Sequence, residues 1–190
     1  GLGLMGKVFT ERLVAKGHSV IGYDLDSSKV QAASAWGVRA GNSPADVTNQ
    51  SDIIMICVTS TDSVEDVVFG TNGVVNGTNP GSFLIDFSTT IVASTKKMAE
   101  LLKDQIGMGW IDAPVSGGPD ACREGTLAIM VGGSKNDIKN ARPLIEQFSA
   151  KFAVFGDVGS GQVAKMVNQV LVLNNYVVLA EALALAEAGG

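Results

Sequence analysis

The chain has 190 residues, a formal net charge of −5 and 46% hydrophobic residues. This length suits one domain and the start of a second, and the apolar content excludes a disordered chain. The acidic balance argues against nucleic acid as a partner, because nucleic-acid binding needs a clustered basic face. Cys57 and Cys122 stand far apart without metal-ligating neighbours, so we expect no metal site, no disulfide framework and a cytoplasmic protein.

The first six residues, Gly1-Leu2-Gly3-Leu4-Met5-Gly6, have the G-x-G-x-x-G spacing of a dinucleotide-binding turn. Gly1 would permit a tight turn, Gly3 the approach of a pyrophosphate, and Gly6 the packing of the next helix against a sheet. Asp24 follows near the interval expected for the carboxylate that binds the adenosine ribose. Because this motif normally follows a strand, we expect that the first strand of the domain is missing from the chain.

Helices and strands alternate after the motif. Helices are predicted at 7–16, 27–36 (capped by Ser27 or Ser28), from Ser43-Pro44, and at 62–69, 93–105 and 135–149. Strands are predicted at 18–24, 38–40, 52–58, 82–87, 110–112, 126–131 and 152–155. The alternation is typical of an α/β fold with a doubly wound parallel sheet, and residues 1–159 would form this dinucleotide-binding domain.

Residues 160–190 have a different pattern, because their aliphatic side chains surround a predicted helix on nearly all sides. We interpret this helix as an interdomain helix that begins a truncated helical domain. A core helix within a single domain is the alternative. No window of about 18 uncharged apolar residues occurs, so we do not expect a membrane span.

Hydroxyl groups follow two of the predicted strands. Thr89 lies just beyond the strand that ends near Asp86, and Val58 and Thr59 hold the same position one strand earlier. The carboxyl ends of parallel strands face the ligand crevice, so these residues are candidate binding residues. They could equally be N-caps of the helices that follow.

The segment Ser116-Gly117-Gly118 follows another strand. Its hydroxyl and clustered backbone N–H groups could receive a carboxylate. The alternative is a flexible turn.

Lys165 falls in the first part of the long helix, where burial and the helix dipole would both lower its pKa toward a value useful in acid–base chemistry. Asn168 and Gln169 lie on the same helix face and could orient the amine or a substrate. The alternative is a lysine whose ammonium group reaches into solvent.

Together these motifs resemble the β-hydroxyacid dehydrogenases, a family that includes 3-hydroxyisobutyrate dehydrogenase, tartronate semialdehyde reductase and, more distantly, 6-phosphogluconate dehydrogenase. The resemblance extends over the chain through four segments. They are residues 1–6, Asp86-Phe-Ser-Thr89, Asp112-Ala-Pro-Val-Ser-Gly-Gly118 with the following 125–133, and Gly159-Ser-Gly-Gln-Val-Ala-Lys165-Met-Val-Asn168.

The resemblance implies a Rossmann-type domain and an oxidoreductase that transfers hydride between NAD(P) and a small β-hydroxyacid or its semialdehyde. It makes Lys165 the general acid–base, with Asn168 in support, and Ser116, Gly117 and Gly118 the substrate-carboxylate loop. The implied cofactor contacts are Gly1, Leu2, Gly3, Leu4, Met5, Gly6, Asp24, Val58, Thr59 and Thr89. A helical second domain and a homo-oligomer are implied for the intact protein.

The chain departs from the family pattern at three places: residues 9–12, Ala121-Cys122, and Gln169, where many members have Asn. Two other interpretations stay open. One is a dinucleotide-binding scaffold or sensor without catalysis, and the other is an imine reductase, a class whose members usually lack the lysine at the position of Lys165.

Asp24 favours NAD over NADP as the cofactor, because a carboxylate binds ribose hydroxyls and repels a 2′-phosphate.

Overall fold

The computed structural model describes residues 1–77, 79–149 and 151–190. The helices within these ranges are α1 Leu4–Ala15, α2 Ser27–Ser34, α3 Pro44–Asn49, α4 Thr61–Phe69, α5 Val92–Ile106, α6 Gly118–Glu124, α7 Lys135–Ile145 and α8 Ser160–Gly189, with a 3-10 helix at Val74–Asn76. The strands are β1 Ile21–Gly22, β2 Arg39–Ala40, β3 Ile53–Ile56, β4 Phe83–Asp86, β5 Gly109–Asp112, β6 Val115–Ser116, β7 Ala128–Gly132 and β8 Ala153–Gly156.

Three parallel strands form the centre of the sheet. β3 pairs with β4 and β4 with β5, in a register that sets Ile56 beside Asp86 and Asp86 beside Asp112. β1 and β2 form a separate parallel pair. Helices cover both faces of the sheet, which confirms the predicted α/β class with a sheet that is mainly parallel.

The sheet is not wholly parallel, which corrects one part of the prediction. β7 runs antiparallel to β5 and β6 and parallel to β8. β6 keeps the register of β5 along β7, since Asp112 lies opposite Gly132 and Ser116 opposite Ala128. The backbone from β5 to β6 therefore continues beyond the level at which β4 ends. The polar residue Asp112 ends the apolar run of β5, which is why the sequence pattern did not reveal β6.

Several predicted boundaries also change. α1 begins at Leu4 inside the glycine motif, not at residue 7, and β1 is limited to Ile21–Gly22. The N-cap of α2 is Asp26, whose carboxylate accepts a hydrogen bond from the Ser28 N–H at 3.0 Å, so neither predicted serine caps this helix. α2 also ends at Ser34, before the predicted end at Trp36. The short α6 was not predicted. Ser43 caps α3 as expected.

Alternate residues of β4 point into two separate parts of the core. Phe83 and Ile85 belong to the part that contains the rings of Phe9, Phe87 and Phe148, whose centroids lie 4.7–6.0 Å apart. Leu84 belongs to the part on the opposite face, with Trp110, Leu102 and Val68. Burial on both faces explains why the strands have continuous apolar runs without alternation.

α8 is buried only at its start. Gly161, Gln162 and Lys165 are buried, whereas large apolar side chains farther along are exposed, among them Tyr176 at 66% and Leu185 at 75%. Within the described residues, α8 is therefore packed against the rest of the fold only at its N-terminal end. By length and composition alone it is apolar enough to cross a membrane. The expectation that it does not do so stays a prediction.

Asp86 is fully buried where β4 ends. Its Oδ1 accepts a hydrogen bond from the Ser88 N–H at 2.9 Å, and its Oδ2 has no hydrogen-bond partner among the described residues. Burial, with a smaller contribution from the neighbouring Asp112, raises the pKa of this carboxyl to about 7, although the hydrogen bonds from Ser88 act in the opposite direction. Asp86 therefore binds a proton in the folded protein at pH values where an exposed aspartate has lost it.

We predict that Asp86→Asn weakens the pH dependence of stability. The pKa of Asp86 is raised on folding, so the folded state holds the proton between about pH 4 and about pH 7, and this group's contribution to stability falls as pH rises through that window. The variant should gain stability relative to the wild type, by a few kcal/mol at most, as pH rises. Thermal unfolding of the full-length protein from pH 4.5 to 8 measures this effect. The exposed control Asp104→Asn should have the same pH dependence of stability as the wild type. If the stability of Asp86→Asn also changes with pH as that of the wild type does, the prediction is contradicted.

Candidate active site

The glycine motif lies against the carboxyl end of β3. A Cβ at Gly6 would lie 2.0 Å from the Gly1 carbonyl oxygen, and one at Gly1 would lie 2.5 Å from the Cys57 carbonyl oxygen, so neither position has room for a side chain. A Cβ at Gly3 would meet nothing within 4 Å. Gly6 thus allows α1 to pack closely, and Gly3 leaves its backbone open to a ligand.

A cleft of about 730 Å³ extends from this motif. Its lining includes Gly1, Leu2, Gly3, Asp24, Val58 and Thr59. The cleft also extends between β1 and β3, where its lining includes Ile21 and Gly22 of β1 and Ile54 and Met55 of β3. Seven of the ten predicted cofactor residues, from three different loops, therefore share one concave surface.

Asp24 is fixed at the edge of this cleft. Its Oδ2 accepts a hydrogen bond from the Leu2 N–H at 2.7 Å, and its Oδ1 accepts one from the Asp26 N–H at 2.9 Å. Lys29 Nζ lies 3.7 Å from Asp24 Oδ1 and 3.6 Å from Asp26 Oδ2. Partial burial raises the pKa of Asp24, but the two N–H groups and Lys29 outweigh it and hold the pKa below its usual value. Asp24 is therefore ionised at neutral pH.

Arg12 does not belong to the cleft. Its guanidinium donates hydrogen bonds to the carbonyl oxygens of Gln147 and Arg123, so it joins α1 to the last turn of α6 and to the segment that follows α7. Lys29 in α2 is therefore the cation that accompanies Asp24.

The residues after β3 and β4 are joined to each other. The Val58 N–H donates a hydrogen bond to Ser88 Oγ at 3.0 Å. Thr59 and Thr89 are exposed. Neither threonine is a helix cap, because α4 is capped by Ser60 and the N-cap position of α5 is Ile91. The structure therefore removes the N-cap alternative for both.

Ser116 is half-buried at the end of β6, and Gly117 and Gly118 form the turn into α6. Their φ angles, +121° and +70°, lie in the region that favours glycine. Any other residue would strain this turn, so the glycines define the backbone conformation beside Ser116. The segment is therefore an ordered turn between two regular elements.

Lys165 is 8% exposed, and its Nζ donates a hydrogen bond to the Val115 carbonyl oxygen at 2.8 Å. This contact sets the amine beside the residue that precedes Ser116. Burial lowers the pKa of Lys165. The alternative of a solvent-reaching lysine is therefore wrong. One helical turn later, Asn168 Oδ1 is buried without a hydrogen-bond partner among the described residues.

The structure thus brings the predicted residues into two groups. One is the cleft lined by Gly1, Leu2, Gly3, Gly6, Asp24, Val58 and Thr59, and the other is Lys165 with the turn at residues 116–118, the Ser116 turn. Leu4 and Met5, although predicted as cofactor contacts, do not line the cleft. Thr89 lies on the loop after β4 and lines no part of the cleft. Asp112 and Gln162 form hydrogen bonds that fix the start of α8, and the sequence analysis did not predict this role for either residue. For Gln162 a signal existed, because a polar residue three positions before Lys165 shares its helix face.

Comparison with known proteins places this geometry in a family. Residues 1–156 match the family model for the NAD binding domain of 6-phosphogluconate dehydrogenase. The chain is 35% identical to 2-hydroxy-3-oxopropionate reductase from Escherichia coli (strain K12), over 100% of this chain and 64% of that protein. The structure of 3-hydroxyisobutyrate dehydrogenase from Mycobacterium tuberculosis with L-serine is 33% identical, covers 98% of this chain and 63% of that one, and superposes with a TM-score of 0.90. An imine reductase from Streptomyces aurantiacus (20% identity, 100% and 66% coverage, TM-score 0.90) shares the fold alone.

The chain spans 56–66% of the length of its curated relatives. The match over residues 1–156 includes the glycine motif, Asp24 and the Ser116 turn, and Lys165 follows on the helix directly after it. The chain therefore belongs to the family of the NAD-binding domain of 6-phosphogluconate dehydrogenase, the β-hydroxyacid dehydrogenase group that its motifs resemble.

Proposed function

We propose that the protein is an NAD-dependent oxidoreductase that acts on the CH–OH group of a small β-hydroxyacid, or in reverse on its semialdehyde. The observation that carries the proposal is the buried Lys165, whose amine contacts the Val115 carbonyl next to the Ser116 turn. Binding a dinucleotide requires neither this amine nor that turn. Their conjunction in an NAD-binding family supports catalysis over a role as scaffold or sensor.

The cleft fits the dinucleotide. Gly3 leaves open backbone at the start of α1, where N–H groups point outward and attract a pyrophosphate. Asp24 is ionised and would accept hydrogen bonds from the ribose hydroxyls. Val58, Thr59 and Thr89 would contact the nicotinamide half from the loops after β3 and β4. When bound, NAD supplies the hydride acceptor for oxidation and NADH the donor for reduction.

Lys165 would accept and donate the proton of the substrate hydroxyl group. In oxidation the neutral amine takes the hydroxyl proton as the carbon loses hydride and the C–O bond becomes a carbonyl. In reduction the ammonium returns that proton to the alkoxide oxygen. Burial lowers the pKa of Lys165, which raises the neutral fraction that oxidation needs. Asn168 Oδ1 lacks a protein partner within the described chain and would accept a hydrogen bond from the substrate or from Lys165.

The Ser116 turn would hold the carboxylate of the substrate. Ser116, Gly117 and Gly118 are consecutive residues, and the positive φ angles of the two glycines fix the backbone conformation beside the Ser116 hydroxyl. A carboxylate held there would set the β-hydroxyl toward Lys165, since Val115 connects the two.

We further propose a domain arrangement. The groove between β1 and β3 exposes apolar lining on both sides, and Gly1 reaches the carboxyl end of β3. One more parallel strand, leading into Gly1, would fill this groove and join the two sheets into one. The exposed apolar surface of α8 would pack against a helical domain that follows residue 190 and supports a homo-oligomer. Residues 1–159 and 160–190 would then be the nucleotide-binding domain and the interdomain helix.

We also propose a cytoplasmic location for the protein. Cys57 and Cys122 are free thiols, as in proteins of a reducing compartment. The small-molecule substrate and the cofactor would be the partners of the site, with no need for nucleic acid or a membrane.

We predict that Lys165→Ala lowers kcat of the full-length enzyme about a hundredfold to ten-thousandfold, because the general acid–base group is lost. The dissociation constant for NADH, measured by fluorescence titration, should change little. Lys97→Ala, an exposed lysine of α5, is the matched control. Retention of more than a tenth of the wild-type turnover would remove Lys165 from this role.

We predict that Ser116→Ala raises KM for the best hydroxyacid about tenfold and leaves NADH binding unchanged, because the hydroxyl binds substrate and not dinucleotide. Steady-state kinetics at saturating cofactor measure the first effect. Ser34→Ala, an exposed serine at the end of α2, controls for the loss of a hydroxyl. Weaker NADH binding with an unchanged KM would instead assign Ser116 to the cofactor.

We predict a preference for NAD over NADP of at least about tenfold in kcat/KM, equivalent to about 1.4 kcal/mol. Asp24 and Asp26 would repel a 2′-phosphate, and Lys29 is shared between their carboxylates at 3.6–3.7 Å. Asp24→Asn should reduce the preference, because repulsion and ribose binding are lost together. Parallel kinetics with both cofactors measure it, and equal or better kcat/KM with NADP in the wild type would refute the assignment.

A further inference from the structure

The start of α8 is capped from outside the helix. Gly159, its N-cap residue, has no side chain, and the cap comes from Asp112 at the end of β5. Asp112 Oδ1 accepts a hydrogen bond from the Gly159 N–H at 2.7 Å, and Oδ2 accepts one from the Gln162 N–H at 2.9 Å. The carboxylate thereby satisfies two unpaired N–H groups and faces the positive end of the helix dipole.

The first turn of α8 also packs closely on the sheet. A Cβ at Gly161 would lie 2.3 Å from the Met130 carbonyl oxygen and 2.8 Å from the Asp112 carbonyl oxygen. This position therefore accepts only glycine without a shift of the helix. Asp112 and Gly161 together fix where α8 begins.

Gln162 joins this turn to the loop after β4. Its side chain is 2% exposed, its Oε1 accepts a hydrogen bond from the Thr90 N–H at 3.1 Å, and its Nε2 donates one to the Ser88 carbonyl oxygen at 2.8 Å. The amide thus holds the residues on both sides of Thr89. Since Ser88 Oγ also accepts from the Val58 N–H, hydrogen bonds connect the ends of β3 and β4 to α8.

Lys165 lies one helical turn after Gln162, and its Nζ is held at the Val115 carbonyl oxygen. A displacement of the first turn of α8 would therefore move the amine relative to the loop that carries Thr89. Val58 and Thr89 belong to the proposed nicotinamide side, and Lys165 to the proposed proton-transfer side. Gln162 is the side chain that connects the two.

We propose that Gln162 is a positioning residue that sets the separation between the cofactor loop at 88–90 and Lys165, with Asp112 as the anchor of its helix. This inference rests on the proposed function. Gln162 touches neither substrate nor cofactor in this scheme. It acts through the backbone of Ser88 and Thr90 and through the helix that carries Lys165.

Gln162→Met in the full-length protein tests the proposal, because methionine keeps the length of the side chain and removes both hydrogen bonds. We expect kcat to fall about ten- to a hundredfold, since a small misplacement of a catalytic group costs this much. The limb of the pH–kcat profile due to Lys165 should also move to higher pH, because water reaching Nζ reverses the effect of burial. Gln105→Met, an exposed glutamine of α5, is the control.

A role limited to stability would lower the unfolding temperature of Gln162→Met but leave kcat and the pH limb of the folded enzyme unchanged, and that result would overturn the proposal. If the variant does not fold, hydrogen exchange of the wild type gives the answer. Saturation with NADH should slow amide exchange both in 88–90 and in 159–165, and slowing in 88–90 alone would overturn the proposal. If the wild-type protein binds NADH and catalyses the reaction but Gln162→Met and the exchange experiment do not give the expected results, only this inference is contradicted. If the wild-type protein neither binds NADH nor catalyses the reaction, the proposed function is contradicted as well.

Discussion

The parallel register of β3, β4 and β5 is the constraint on which the candidate site depends. Ile56, Asp86 and Asp112 lie side by side across the three strands, so all three strands end at one level. The loops that follow must then meet at one edge of the sheet, although long stretches of sequence separate them. The open backbone at Gly3, the loop carrying Thr89 and the start of α8 all adjoin this edge. A one-residue shift in the pairing of β3 with β4, or of β4 with β5, would turn the side chains of the shifted strand and the loop after it toward the opposite face of the sheet.

The sequence predicted the parts of this arrangement that depend on local chemistry. Continuous apolar runs marked β3 and β4, Ser43-Pro44 marked a helix start, and glycine spacing marked the turn before α1. It did not reveal β6 or the antiparallel course of β7, because strand direction depends on pairing between distant segments and not on composition. α1 began earlier than predicted because Leu4 and Met5, inside the glycine motif, already have helical geometry. Lys165 was recognised as a candidate, but its contact with Val115 required the three-dimensional fold.

Several polar groups are buried at the carboxyl edge of the sheet, among them Asp86, Asp112, Gln162 and Lys165. Asp112 accepts hydrogen bonds from backbone N–H groups, and Gln162 uses both ends of its amide, so these two offset much of their desolvation. Asp86 does so with one oxygen only, and Lys165 makes a single hydrogen bond. Burial displaces the pKa values of Asp86, Asp112 and Lys165 toward neutrality. In Asp112 the hydrogen bonds from the Gly159 and Gln162 N–H groups oppose this shift, which suits a carboxylate that holds the start of α8.

α8 has two ends with different physical properties, and this difference bears on how Lys165 could be held in a larger protein. Four hydrogen bonds made by the side chains of Asp112 and Gln162 fix the first turn of α8 to the end of β5 and to the loop after β4. The remaining turns expose apolar side chains, and covering them would contribute about 25 cal/mol for each Å² buried. This gain is non-directional, so it can draw a second domain onto the helix without specifying where the amine of Lys165 lies. The directional hydrogen bonds at the N-terminus specify that position. Domain association and placement of the lysine are therefore separate tasks on one helix, and a change in the covering surface can leave the geometry of the proton-transfer group intact.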